Sequence, residues 1–110
     1  MEKGEILSEL ESLGSKFEDP KIQRRFKEYN KTILFSFPDI GAFFYMRIGD
    51  ASLDEIGEGE VDAELSVTMD STMLKAILSR EESPMAAYSA GKLKTKGEVP
   101  DLLKLQKLLL

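Results

Sequence analysis

Six carboxylates crowd one stretch of this chain: Asp50, Asp54, Glu55, Glu58, Glu60 and Asp62. Carboxylates in pairs can hold calcium or divide acid and base roles between them. Their spacing does not follow the calcium-loop pattern D-x-[DN]-x-[DN]-G. A solvated turn and edge strand accounts for them better, since charges on an edge strand block unwanted sheet pairing. A second row, Lys92, Lys94 and Lys96, alternates with Leu93 and Thr95. It offers charge to a carboxylate, a CoA phosphate or a membrane surface, although a solvated strand face is the simpler account. Gly91 and Gly97 stand too far apart, in too strand-like a setting, for a phosphate loop. The 110 residues include no cysteine and no histidine. That removes a thiol nucleophile, disulfides, thiolate-bound zinc and an imidazole base. Among the remaining polar residues no nucleophile–base pair is recognisable. The expectation is a protein that is not an enzyme and has no metal or cofactor.

The strongest signal is apolar. A helix is predicted from Glu98 to Leu110. In it Leu102, Leu103, Leu105, Leu108, Leu109 and Leu110 spread over roughly 200° of the circumference, whereas a helix lying on a sheet needs about a 100° stripe. Such a helix is either packed on several sides or presents surface to a ligand or a second subunit. Met46, Met69, Met73 and Met85 fall at or beside inward positions, and flexible thioethers adapt to variable apolar partners.

The elements that must position these residues follow from periodicity. Ile6, Leu10, Leu13 and Phe17 recur at helical spacing. Asp19-Pro20 reads as a cap for a second helix carrying Ile22, Phe26 and Tyr29 and stopping at Asn30. Alternation then takes over. Ile33, Phe35 and Phe37 mark one strand. Phe44, Met46 and Ile48 mark the next, with Phe43, Tyr45 and Arg47 on its other face. Gly49-Asp50 predicts a turn, and residues 51–60 predict a short polar edge strand. Ala63, Leu65, Val67 and Met69 give a further strand with one wet face. Asp70 is placed to cap a helix bearing Met73, Leu74, Ile77 and Leu78. Ser83-Pro84 opens a shorter helix that Gly91 ends in the left-handed conformation. Lys92 to Lys96 is the last strand. Consecutive strands with helices around them predict an α+β domain.

Composition sets the remaining bounds. The length suits one domain, residues 1–110, with a helical part over 1–30 and sheet and covering helices over 31–110. The formal net charge is -5, which argues against nucleic acid and anionic membrane as main partners. The acidic, amphipathic start is unlike a signal or transit peptide. No apolar run approaches the ~20 residues of a membrane span. A cytoplasmic protein is expected, making at most transient membrane contact.

Particular residues carry a family likeness. Ala87-Tyr88-Ser89-Ala90-Gly91-Lys92-Leu93-Lys94-Thr95-Lys96-Gly97, followed by Leu103-Lys104-Leu105-Gln106, resembles the G-K-L-K-x-x-G strand and leucine-rich helix of the sterol carrier protein 2 domain family. Ala63 to Met69 resembles that family's A-D-x-x-I-T-M strand, and Ser83-Pro84 its Asn/Asp-Pro. Arg80-Glu81-Glu82 replaces a glycine-containing turn. Thr95 replaces a common isoleucine, making that inward face more polar.

The resemblance implies a five-stranded, mostly antiparallel sheet covered by helices, with an apolar tunnel between them that binds fatty acids, acyl-CoA, sterols or isoprenoid lipids without catalysis. Transferred by position, Leu102, Leu103, Gln106 and Leu109 would line or gate the tunnel. Met73, Leu74, Ile77, Met85 and Tyr88 would form its wall, and Phe35, Phe44, Met46, Leu65, Val67 and Leu93 its floor. Gln106 is the head-group contact on this reading. Equally, it is solvent-exposed or caps a backbone group. The rival account is an interaction module: the same apolar surface covered by a partner protein or a second copy, so that the chain is a monomer or a homodimer. As a lipid module it could also present substrate to a separate enzyme.

Overall fold

The structure is a computed structural model describing residues 2–109; Met1 and Leu110, the last of the leucines counted above, lie outside the described residues. Helix α1 (Lys3–Gly14) buries Ile6, Leu10 and Leu13 and runs into a 3-10 turn, Ser15–Glu18, that buries Phe17. Asp19 then caps α2 (Pro20–Arg25), its carboxylate accepting from the Lys21 N–H at 2.9 Å. This helix ends well before the expected stop at Asn30. Glu28 adopts φ 61, and its N–H donates to the Asp50 carboxylate at 2.8 Å. The early exit lets both Phe26 and Tyr29 turn inward. Phe26 meets Phe17 edge-on at 5.1 Å and Tyr29 at 5.3 Å, geometry that favours the ring quadrupoles.

The sheet contains β1 (Lys31–Phe37), β2 (Ala42–Gly49), β3 (Ser52–Glu58), β4 (Leu65–Met69) and β5 (Leu93–Lys96), in the order β3-β2-β1-β4-β5. Neighbours are antiparallel except the central pair β1–β4, which is parallel and pairs Ile33 with Leu65 and Phe35 with Val67. Asp50 and Ala51, at φ 41 and 66, make the β2–β3 turn. Two positive φ angles are what a two-residue hairpin of matching twist requires, so the turn sits one residue later than Gly49-Asp50. The period of two sends Phe35, Phe44, Met46, Leu65 and Val67 to one fully buried face. Phe43 and Tyr45 lie half-buried on the other face, where the Tyr45 hydroxyl donates to Glu55 at 3.0 Å.

Helix α1 packs on α3 (Ser71–Leu78) and β3. Asp70 occupies the N-cap of α3, but its side chain makes no cap bond. Asp39, from the β1–β2 turn, substitutes by accepting from the Ser71 N–H at 2.9 Å and its hydroxyl at 2.7 Å. The hydroxyl bond holds the Asp39 carboxyl below its ordinary range. Ser83 caps α4 (Pro84–Ser89), accepting from the Ala86 N–H at 3.3 Å. Gly91 leaves it at φ 75, and the Lys92 N–H closes on the Ala87 carbonyl at 2.9 Å. Helix α5 (Val99–Leu109) packs against α4 and α2.

Candidate functional site

An apolar groove opens between α4, β5 and α5. Helix α4 contributes Met85 and Tyr88, β5 contributes Leu93 and Thr95, and α5 contributes Val99, Leu102, Leu103, Leu105, Gln106 and Leu109, with Pro84 at one end. The alternation of β5 aims Leu93 and Thr95 toward these helices while Lys94 and Lys96 take the other side, paired with Thr68 and Ser66. On α5, Asp101, Leu105, Leu108 and Leu109 face inward and are buried, so Val99 and Leu103 are turned outward. Val99 is 67% exposed, Leu103 57%, Tyr88 55% and Met85 53%. These are the large exposed apolar side chains among the described residues, and all four line this one groove. Scattered exposed apolar residues are ordinary, but a contiguous set marks an interaction surface.

The groove measures about 200 Å³, below the ~300–1,000 Å³ of sites that enclose a whole small ligand. Its polar side-chain groups are those of Thr95, Gln106 and the Tyr88 hydroxyl. The Gln106 side chain is half-buried and makes no hydrogen bond to the described residues. Among the described residues it caps no backbone group.

Of the residues the family likeness assigned, Met85, Tyr88, Leu93, Leu102, Leu103, Gln106 and Leu109 meet at this groove. Phe35, Phe44, Met46, Leu65, Val67, Leu74 and Ile77 do not. Each is at most 2% exposed and is packed in the core, in one buried cluster with Ile6, Leu10 and Leu13 of α1. Met73 borders a separate cleft with Lys92 and Lys94. Pro84, Val99 and Leu105 were missed. Val99 stands three and four residues before Leu102 and Leu103, a helical spacing that joins it to the same face.

Polar contacts fasten α5 at three levels. In its first turn Asp101 is 3% exposed. It accepts from the Tyr29 hydroxyl at 3.0 Å and from Lys31 Nζ at 2.9 and 2.8 Å. One turn on, the Lys104 ammonium lies over the Phe26 and Tyr29 rings at 5.7 and 5.4 Å and donates to the Arg25 carbonyl. In the last turn Lys16 Nζ donates to the Leu108 carbonyl at 2.8 Å, where a cation also suits the helix dipole. Burial raises the Tyr29 phenol, and the bond to Asp101 adds to it. The bond to Asp101 raises Lys31 against a smaller opposing desolvation. Burial lowers Lys16, helped by the nearby charge of Arg80.

Among the described residues no helix is long and apolar enough to cross a membrane. Among the same residues no three or more acidic side chains come together in a way that could hold a metal ion.

The chain is thus a five-stranded α+β domain with an apolar groove at the β5 edge of its sheet. The chain belongs to the SCP-2 sterol transfer family, whose pattern it matches over residues 10–110. Stomatin-like protein 1 of Mus musculus is 39% identical over 56 residues, which is 49% of this chain and 14% of that protein. A crystal structure of sterol carrier protein 2 superposes with a TM-score of 0.71 at 14% identity, covering 93% of this chain and 91% of that one. The inverting sec-alkylsulfatase Pisa1 from Pseudomonas sp. superposes with a TM-score of 0.63 at 18% identity, covering 79% of this chain but 13% of the sulfatase. This chain thus spans about one-seventh of the mouse relative and of the sulfatase. At these identities the structural likenesses establish the fold. Lipid binding or transfer is the general activity of the family.

Proposed function

We propose that this chain reversibly buries the apolar tail of one lipid in the α4–β5–α5 groove, without catalysis. The observation that carries the reading is the gathering of Met85, Tyr88, Val99 and Leu103, each more than half exposed, around a single groove. Each methylene taken out of water there contributes about 0.8 kcal/mol, so a chain-like tail binds by length and needs few fixed polar groups. A fatty acid, acyl-CoA or isoprenoid tail suits the narrow groove better than a rigid sterol. Gln106 offers the head group an amide that no other described residue engages. The groove as it stands is too small to enclose a long tail, so loading requires α5 to move outward.

The test is native mass spectrometry after incubation with a long-chain fatty acid, its acyl-CoA and a sterol. One adduct per chain is expected with the first two. Leu103→Glu places a charge in the groove at a site 57% exposed. Its stability should change by less than about 0.5 kcal/mol while the adduct is lost. Retention of the adduct by that variant would remove the groove from the reading. Gln106→Leu should weaken the fatty acid and leave its methyl ester unchanged. A second reading, in which the domain presents lipid to an enzyme, is favoured by the likeness to a segment of a much larger sulfatase chain. A third, a dimer seam on the same surface, predicts a stable oligomer without lipid in sedimentation.

A further inference from the structure

The groove does not close at Pro84 and Leu109. Both residues also line a second cleft, of about 410 Å³, whose other walls are Ile77, Arg80, Glu82 and Ser83. The apolar groove of about 200 Å³ therefore borders a polar cleft directly, and the two together fall within the ~300–1,000 Å³ of sites that hold a whole small ligand. Arg80 belongs to the turn that follows α3. Its N–H closes on the Ile77 carbonyl at 3.1 Å, and the Glu81 N–H on the Ala76 carbonyl at 2.9 Å, which fixes the backbone there. Arg80 sits at φ 65, a left-handed conformation that suits glycine and strains a residue with a Cβ. The guanidinium held at that strained position is exposed and makes no hydrogen bond or salt bridge to the described residues, Glu82 included. Its charge also helps burial to lower the Lys16 ammonium, which is bound to the Leu108 carbonyl at 2.8 Å. Two cations thus stand beside the last turn of α5, where groove and cleft meet.

We infer that this cleft receives the carboxylate of a fatty acid whose tail lies in the groove, and that Arg80 selects the acid over a neutral amphiphile. The inference rests on the proposed carrier role and deepens it. A guanidinium donates two parallel N–H bonds to a carboxylate, and the Arg80 guanidinium has both to offer. Gln106, one turn before Leu109, lines the groove side. Its amide can hydrogen-bond a head group but supplies no charge. The direction of the ligand follows: the carboxylate lies at Arg80, and the tail passes Met85 and Leu102 toward Val99, about 15 Å back along α5. A cation just beyond α3 also suits the dipole of that helix, but this role alone requires neither the strained backbone nor the adjoining cleft, and it is blind to ligand charge.

The experiment is isothermal titration calorimetry of the whole chain with laurate and with dodecanol, which share one tail and differ in head-group charge. The native chain should prefer laurate by roughly tenfold, the scale of one charge-assisted hydrogen bond at an exposed site. Added salt should shrink that preference. Arg80→Gly removes the guanidinium and relieves the left-handed strain, so its urea midpoint should not fall while the preference for laurate disappears. Arg80→Lys keeps the charge without the planar fork and should retain part of the preference. If Arg80 only served the end of α3, Arg80→Gly would lower the urea midpoint and change both ligands alike, which would overturn the inference. A laurate preference that survives in Arg80→Gly would overturn it too. Equal binding of dodecanol and laurate by the native chain would leave the carrier reading standing and remove the head-group cleft. Binding of neither ligand would remove the carrier reading, and this inference with it.

Discussion

Removing the Asp101 carboxylate is the sharpest perturbation of how α5 is held. Asp101→Ala leaves the Tyr29 hydroxyl, which is buried, without its acceptor and deprives Lys31 of its partner. A hydrogen bond to a charged group contributes about 1.5–3 kcal/mol. The Lys31 side chain is 33% exposed, so water replaces most of its interaction and the Tyr29 bond dominates. The expected loss is then about 2–3 kcal/mol, which for a domain of this size lowers Tm by roughly 10 °C. It does not release the helix. Leu105, Leu108 and Leu109 remain buried, each contributing about 1.5–3 kcal/mol, and their sum exceeds the latch. The helix should stay docked but open about a hundredfold more often, since 1.4 kcal/mol is a factor of ten. Urea denaturation measures the total, and amide hydrogen exchange across α5, compared with β1 and β2, measures where it falls. A loss below about 0.5 kcal/mol, the scale of an ordinary surface change, would refute the reasoning. So would faster exchange spread evenly over sheet and helix.

Alkaline titration probes the same latch. Lys31 and Tyr29 are both raised in the fold, so their contribution is complete below their unfolded values of about 10.4 and about 10 and is lost as pH rises through the folded ones. Urea midpoints should fall above about pH 10 more steeply in the native chain than in Asp101→Asn, and parallel curves would count against the latch. Gly97 lies between β5 and α5 at φ 152, with a Cβ position 3.2 Å from the Glu64 carbonyl oxygen. Gly97→Ala should cost about 1–3 kcal/mol, and an unchanged urea midpoint would show that the backbone there relaxes freely.

Most elements could be read from residue periodicity because one face of each is buried. Phe35, Phe44, Met46, Leu65 and Val67 sit where alternation puts them, facing inward. Periodicity says inward but does not say against what. These side chains end in a packed core shared with α1, whereas Leu93 and Thr95, inward by the same rule, border open space. That distinction depends on how far α4 and α5 reach over the β5 edge, a long-range packing outcome. The excess leucine of α5 was legible as surplus surface, and it coincides with the groove. The Asp39–Ser71 bond and the Asp101–Tyr29–Lys31 cluster were not legible. Their partners lie 32 to 72 residues apart, and a polar residue in a sequence looks the same whether its partner is water or a distant phenol. The shortened α2 was missed because Phe26 and Tyr29 keep a helical spacing while the backbone between them does not.

The parallel seam at the middle of the sheet has a consequence for the order in which the molecule assembles. Strands β1, β2 and β3 form an antiparallel run closed by tight turns, so their loops are short and their pairing costs little chain entropy. The β1–β4 pairing joins Ile33 to Leu65 and must bring together residues a full meander apart. The contacts of α5 reach further still, over 72 residues to Tyr29 and 92 to Lys16. Folding should therefore nucleate in the meander and finish with α5, because distant contacts form only after nearer ones have shortened the effective loop. The element that forms the outer wall of the groove is thus the last to arrive, and by microscopic reversibility the first to leave. Partial unfolding and ligand entry would then begin with the same motion.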